Sequence, residues 1–286
     1  MAAEDYAVPE PIEASEWLEE SLPVQPGGTL FVRSVRASLD VRSHDTDEVR
    51  VEAEARGRRA DRVSFKLEQA GNDVRFEVRI DGWLVGLLGT LDVRVRLWVP
   101  RRYSLVLRAS GGDVRVDGIT GDVVLSTSGG DASVTRTVGP IELTSSGGDL
   151  EIVHVDGDVR VRTAGGNLAL RDVFGNVRAR SSGGELNVDG VDGAVDVRSN
   201  GGSTSVVFLG DPEGEIKGSG GSIEVLVRED AHCELDAKSS GGGIELELEL
   251  DELRERAPHR VVGVLGDGGP KLVLRSSGGG IRIGRL

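Results

Sequence analysis

Cysteine is nearly missing from this chain. Cys233 stands alone, which rules out an intramolecular disulfide and any thiolate-based zinc site. Aromatic residues make up only 3% of the sequence, and 34 Lys and Arg face 48 Asp and Glu, a net charge of −14. So acidic a chain is a poor partner for nucleic acid or anionic membrane surfaces. The longest apolar run, residues 83–88, is far too short to cross a bilayer. No basic segment followed by an apolar core is seen near Met1, so no secretory signal is read and a cytoplasmic location is expected.

Glycine is what the chain has in excess, 42 residues of 286, about twice the usual ~7% share. Gly-Gly pairs begin at Gly111, Gly129, Gly147, Gly165, Gly183 and Gly201, five consecutive intervals of 18 residues. A further glycine follows ten positions later, at Gly121, Gly139, Gly157, Gly175 and Gly193. Helices cannot carry this load, since each interior glycine costs about 1 kcal/mol against alanine. Between the glycines, apolar residues alternate with period two, as in Leu150/Ile152 and Val159/Val161. The pattern predicts two short strands per repeat, with Ile119, Val155, Val173 and Val191 suggesting a short third side. Strands this brief are stable only when each coil stacks on the one before. The expected fold is therefore all-β: a single-stranded parallel β-helix, or β-solenoid, of 18-residue coils. Thr127, Ser145, Thr163, Ser181 and Ser199 share parity with the buried valines. They are expected to form a structural ladder, bonding one another and the backbone at the Gly-Gly corners.

Three sections are expected. Residues 1–28 are acidic and contain proline, with a short helix over 16–22 that Ser15 can cap, and form either a lid or a disordered tail. Residues 29–110 form a wider β-rich cap, with strands over 30–40, 49–55, 63–67, 74–80 and 91–99 and eight of the ten aromatics before residue 104. Residues 111–286 carry the solenoid, interrupted by an excursion at 244–275. Within it, residues 244–251 read as a strand with one acidic face, and residues 252–260 as a solvated loop. The stretch 83–88 reads as a cover over the open solenoid end, or as a patch that meets a partner.

Several motifs also carry a resemblance. Val-Arg-Leu-Trp-Val-Pro at 95–100 precedes Tyr-Ser-Leu-Val-Leu-Arg-Ala-Ser-Gly-Gly-Asp-Val at 103–114. Ser-Ser-Gly-Gly-Asp/Glu-Leu blocks recur at 145–150 and 181–186, and Leu-Val-Leu-Arg-Ser-Ser-Gly-Gly-Gly-Ile-Arg-Ile closes the chain at 272–283. The sequence resembles the bacterial putative-adhesin family, domain of unknown function 4097, from about residue 27 to 286. The resemblance implies a right-handed β-helix and brings no catalytic residues with it.

Candidate chemistry is sparse. Asp113, Asp131, Asp149, Asn167 and Glu185 follow the Gly-Gly pairs, so the three aspartates are weak calcium candidates. The residues of a calcium-binding glycine-rich nonapeptide are replaced by Val114 and Val116, and Asx-type turn bonding suits the column better. Arg160, Arg162, Arg178, Arg180 and Arg198 fall at outward positions of three successive coils. They form the best surface candidate, a cationic face for an anionic polymer or a protein partner, unless acids such as Asp196 and Glu185 neutralise it. His44, His154, His232 and His259 lack metal-ligand spacing, and His232 and Cys233 point to opposite faces of a strand. No cofactor is expected. The expected function is a non-catalytic scaffold or interaction module. Two alternatives are a polymer former, joined end to end through the last coil with Arg282 and Arg285 as gatekeepers, and a carbohydrate-active enzyme built at 244–275.

Overall fold

The computed structural model describes residues 10–81 and 91–286. The stretch 83–88, Tyr6 and Trp83 lie outside the described residues. The chain divides into two compact units, residues 1–131 and 132–286. Both are all-β, with a single 3-10 turn at Ala60–Arg62.

The first unit holds two sheets. One runs β1 (Ile12–Ser15), β6 (Val63–Ala70), β7 (Asp73–Ile80), β3 (Thr29–Ser34), β9 (Ser104–Ala109), β11 (Val123–Thr127). The other runs β2 (Trp17–Pro23), β5 (Glu48–Gly57), β8 (Leu91–Pro100), β4 (Ser38–His44), β10 (Val114–Asp117). Pairing is antiparallel among β1, β6 and β7 and among β2, β5 and β8. From β3 and β4 onward it is parallel. The bulky residues fill this wider section: Phe65 and Phe76 stack at 6.1 Å, and Tyr103 is buried with its hydroxyl donating to the Asn72 carbonyl. Burial and the nearby Asp73 push that phenol well above its usual range.

Two local expectations are corrected here. Residues 17–23 form β2, antiparallel to β5, instead of a helix over 16–22. Glu16 adopts a left-handed φ of 66°, which breaks the chain between β1 and β2 and sends them to different sheets. The strand expected over 30–40 is two strands, because Arg36, at φ 54°, turns the chain from one sheet to the other.

In the second unit one sheet runs β13 (Ile141–Ser145), β15 (Val159–Thr163), β17 (Val177–Ser181), β19 (Val195–Ser199), β21 (Gly214–Gly218), β27 (Lys271–Ser276), β23 (Cys233–Ser239), β26 (Arg260–Leu265), β25 (Glu252–Ala257). The other runs β12 (Ala132–Val138), β14 (Leu150–Asp156), β16 (Leu168–Phe174), β18 (Leu186–Asp192), β20 (Thr204–Phe208), β22 (Ile223–Val227), β28 (Ile281–Arg285), β24 (Ile244–Leu246). Each repeat gives one strand to each sheet, and neighbours pair in parallel 18 residues apart, as in Leu150 with Leu168 and Val159 with Val177. This is the expected β-solenoid, with two sides instead of three. Val155, Val173 and Val191 are inward residues of β14, β16 and β18, beyond a left-handed residue that resets the inward parity: His154 (φ 55°), Asp172 (φ 51°) and Gly190 (φ 89°). Ile119, in the first unit, is buried just beyond β10.

Corner chemistry explains the period. Gly166 has φ 74°, and a Cβ there would meet the Gly148 carbonyl oxygen at 2.0 Å. The buried hydroxyls turn to their own coil's corner and not to one another. Thr127 Oγ1 donates to Gly129 O at 2.7 Å, Ser199 Oγ to Gly201 O at 3.0 Å, and Ser145, Thr163 and Ser181 do the same.

Chain order fails at the C-terminus. The last coil, β27 and β28, is inserted between the coil of β21 and β22 and that of β23 and β24, parallel to both neighbours. The end of the chain is therefore not the end of either sheet. The acidic segment 244–251 is a strand only as far as Leu246, because the chain then turns back and Asp251 N–H bonds Val264 O at 2.9 Å. Residues 252–265, whose first half reads in the sequence as a solvated loop, form an antiparallel hairpin of β25 and β26 on the edge of β23.

Candidate functional site

The strands β15, β17 and β19 bury Val159, Val161, Val177, Ala179, Val195 and Val197, and alternation throws the intervening residues outward. The parallel register then aligns them in two columns. Glu142, Arg160, Arg178, Asp196 and Glu215 make one; Thr144, Arg162, Arg180, Arg198 and Lys217 make the other. Rungs lie roughly 4.8 Å apart, so the second column sets four cations side by side. The five arginines named in the sequence come together as expected. Lys217 escapes the sequence reading because the interval from Arg198 is 19 residues, one more than the repeat; aligning from the next buried residue, Ile216, would find it.

Neutralisation is partial. Asp196 receives Arg178 Nε at 3.2 Å, Arg180 at 3.0 Å and Arg198 Nε at 3.4 Å, so one carboxylate serves three guanidiniums. Arg198 also reaches Glu215 at 3.5 Å, and Lys217 pairs with the same residue at 2.8 Å. Arg162 has only a long contact to Glu142, 3.7 Å, and among the described residues Arg160 has no ion-pair partner. Glu185 follows a Gly-Gly corner and gives its backbone N–H to Asn167 Oδ1. A groove of about 260 Å³ runs beside the first column, between Asp158, Arg160, Asn176, Arg178 and Asp196. Its rim is fixed by side chains bonding one coil onward: Asn176 N–H to Asp158 Oδ1 at 3.1 Å, and Ala194 N–H to Asn176 Oδ1 at 3.0 Å.

Asp113, Asp131 and Asp149 lie in the corner column, where carboxylates accept backbone N–H groups of the next coil. Asp131 N–H bonds Asp113 Oδ1 at 3.1 Å, and Asn167 N–H bonds Asp149 Oδ1 at 2.7 Å. The bond thus runs 18 residues along the chain, not within a local turn. Each histidine has a structural contact: His44 with Glu48 O, His154 with Asp172, His232 with Asp267 N–H and His259 with Gly242 O. Cys233 is buried, and burial, aided by Asp211, pushes its thiol up to about 11, so it stays protonated at neutral pH. In the excursion, Glu247 is bridged to Arg282 at 2.7 Å, and Asp251 accepts Gly266 N–H at 2.7 Å.

Coiled parallel sheets with outward ladders define a β-solenoid protein whose surface repeats from rung to rung. The chain belongs to the Toastrack DUF4097 family, whose model matches residues 29–284. No curated protein matches the sequence. Among solved structures it is similar to a putative adhesin from Bacteroides fragilis NCTC 9343 (11% identity, 96% of this chain and 98% of that one, TM-score 0.29). It is also similar to a putative adhesin from Parabacteroides merdae ATCC 43184 (10% identity, 95% and 96%, TM-score 0.28). A third is a putative cell adhesion protein from Clostridium sporogenes ATCC 15579 (11% identity, 94% and 100%, TM-score 0.22).

Proposed function

We propose that the protein is a non-catalytic interaction scaffold that holds an anionic polymer along the arginine face of its second unit. The observation that carries this reading is the register of Arg162, Arg180, Arg198 and Lys217 on successive rungs, beside Arg160 and Arg178. Regular cation spacing on stiff strands suits a ligand whose charges also repeat, and each guanidinium offers a planar fork to carboxylate or sulfate oxygens. Several weak contacts on one chain then add through effective concentration, without a deep pocket. The histidines and the buried thiol are committed to structural contacts, which is consistent with a binding role.

The test uses the full chain and polygalacturonate, followed by calorimetry at low salt. Replacing Arg160, Arg162, Arg178 and Arg180 with Gln is expected to weaken binding at least about tenfold, or ~1.4 kcal/mol. Moderate salt is expected to weaken the wild type as well, because the site is exposed. Unchanged binding in the quadruple variant would remove the assignment.

A further inference from the structure

The first unit carries a different outward surface on β7, β3, β9 and β11. Register places Arg75, Phe31, Val106 and Val124 in one column and Glu77, Arg33, Arg108 and Ser126 in the next. In the second unit the corresponding outward residue, between the first two buried positions of a strand, is Glu142, Arg160, Arg178 or Asp196. Here it is Phe31, Val106 or Val124, three apolar side chains on consecutive rungs facing outward, with Val124 37% exposed. A single exposed valine needs no explanation, but an apolar ladder in register on an otherwise charged face does.

The charge beside that ladder is unbalanced. Lys66 is taken by Glu68 at 2.6 Å, and Glu77 by Arg79 at 2.6 Å. Arg79, with Arg33 and Lys66 near, holds the Glu77 carboxyl below its usual range. Among the described residues Arg33, Arg75 and Arg108 have no ion pair, although the chain as a whole carries −14. Arg33 and Arg108 are direct register neighbours, and the Arg75 guanidinium lies 5.3 Å from the centre of the Phe31 ring. Together these residues line a groove of about 370 Å³, within the ~300–1,000 Å³ range of small-molecule sites.

We propose that this groove binds a small phosphate monoester with an apolar body. The phosphate lies between the Arg33 and Arg108 forks, and the ring or short alkyl chain lies along Phe31, Val106 and Val124. Two guanidiniums one rung apart present donors to separate oxygens of a dianion, which a lone arginine does not. The ladder supplies dry contact for the body, and Arg75 closes one end of it over Phe31. This site shares no residue with the arginine face of the second unit and stands or falls separately from it.

The experiment titrates 1-naphthyl phosphate into the full-length protein, followed by heteronuclear NMR and calorimetry, with inorganic phosphate and 1-naphthol as the two half-ligands. Saturable binding is expected, with each half-ligand weaker by at least about tenfold, the factor that ~1.4 kcal/mol represents. Replacing Arg33 and Arg108 with Gln is expected to weaken binding by a similar factor, and so is Val106→Thr with Val124→Thr. These are surface positions, and an unchanged thermal midpoint confirms that the fold is retained; Arg33→Lys with Arg108→Lys, which keeps the charge but loses the forks, is expected to fall in between. The variant lacking Arg160, Arg162, Arg178 and Arg180 is expected to bind naphthyl phosphate as the wild type does. Absence of saturable binding, equal binding of inorganic phosphate, or indifference to the Arg33 and Arg108 replacements would each overturn the proposal.

Discussion

The two glycines of a Gly-Gly corner have unequal duties. The second is left-handed in each coil, with φ between 71° and 82° at Gly112, Gly130, Gly148, Gly166 and Gly184, and the carbonyl of the coil before lies against it. The first faces open space or ordinary contact: Gly129 has nothing within 4 Å, and Gly165 only Ser146 O at 3.8 Å. Gly165→Ala is therefore expected to change stability by no more than about 0.5 kcal/mol. Gly166→Ala is expected to cost at least ~1–2 kcal/mol from the left-handed backbone alone, with the 2.0 Å approach to Gly148 O adding to it. Urea midpoints of the two single variants check the contrast; equal midpoints would show that stacking, not backbone hand, sets the cost. The glycine period and the buried hydroxyls were legible in the sequence, because spacing and parity are properties of the chain. Which glycine of a pair is indispensable was not, since φ depends on the coil it stacks against. The same holds for Asp149, whose acceptor role depends on a backbone N–H 18 residues away.

At the scale of elements, the inserted coil of β27 and β28 is fastened on both sheets. Arg275 reaches both Asp236 carboxylate oxygens, at 3.1 and 2.8 Å, and its backbone carbonyl at 2.7 Å, while Arg260 approaches the same carboxylate at 3.6 Å. On the other sheet Arg282 joins Glu224 on β22 to Glu247 beyond β24, at 3.3 and 2.7 Å. The Arg275 bonds hold the Asp236 carboxyl below its usual range despite partial burial. A carboxylate with a lowered native value stabilises the fold above its unfolded value, near ~3.9, and loses that contribution as pH falls through the native one. Asp236→Asn is thus expected to cost about 1.5–3 kcal/mol at pH 7, with the difference from wild type shrinking as pH drops below ~4. Denaturant titrations of both proteins at pH 7 and pH 3 measure it; a gap that persists at pH 3 would mean that packing, not charge, sets the loss. The insertion itself could not be read from sequence, because parallel pairing leaves no local mark of which coil a strand joins. The glycine spacing loosens after Gly201, in the same stretch. Ambiguity of period has a simpler cause at residues 17–23: Leu18 and Leu22 are four apart, a spacing that suits a helix face and a strand face equally.

At the scale of the whole molecule, the question is how stacks of parallel strands avoid adding further copies. In the first unit the terminal strands are β1 and β2, antiparallel additions carrying Glu13, Glu19 and Glu20 and ending at Pro23. In the second unit the edge of one sheet is β25, six exposed residues that include Glu252, Arg254, Glu255 and Arg256. The other edge, β24, is three residues long, and the hairpin's turn lies over its start, with Ile244 N–H bonding Pro258 O at 3.3 Å. Short, charged, antiparallel or covered edges are the devices by which sheets refuse a neighbour. A net charge of −14 adds mutual repulsion at neutral pH and low salt. Absolute mass by light scattering after size exclusion is therefore expected to stay that of a single 30.2 kDa chain over roughly a hundredfold range of concentration. A mass that climbs with concentration would place the function at these edges instead of on the arginine face. Leu253→Lys on β25 would then identify the edge responsible: if it restored the single-chain mass, β25 would be the strand that pairs. Constant mass leaves the ladders on the sheet faces as the surface through which the protein meets other molecules, and it makes the polygalacturonate titration the experiment that decides between them.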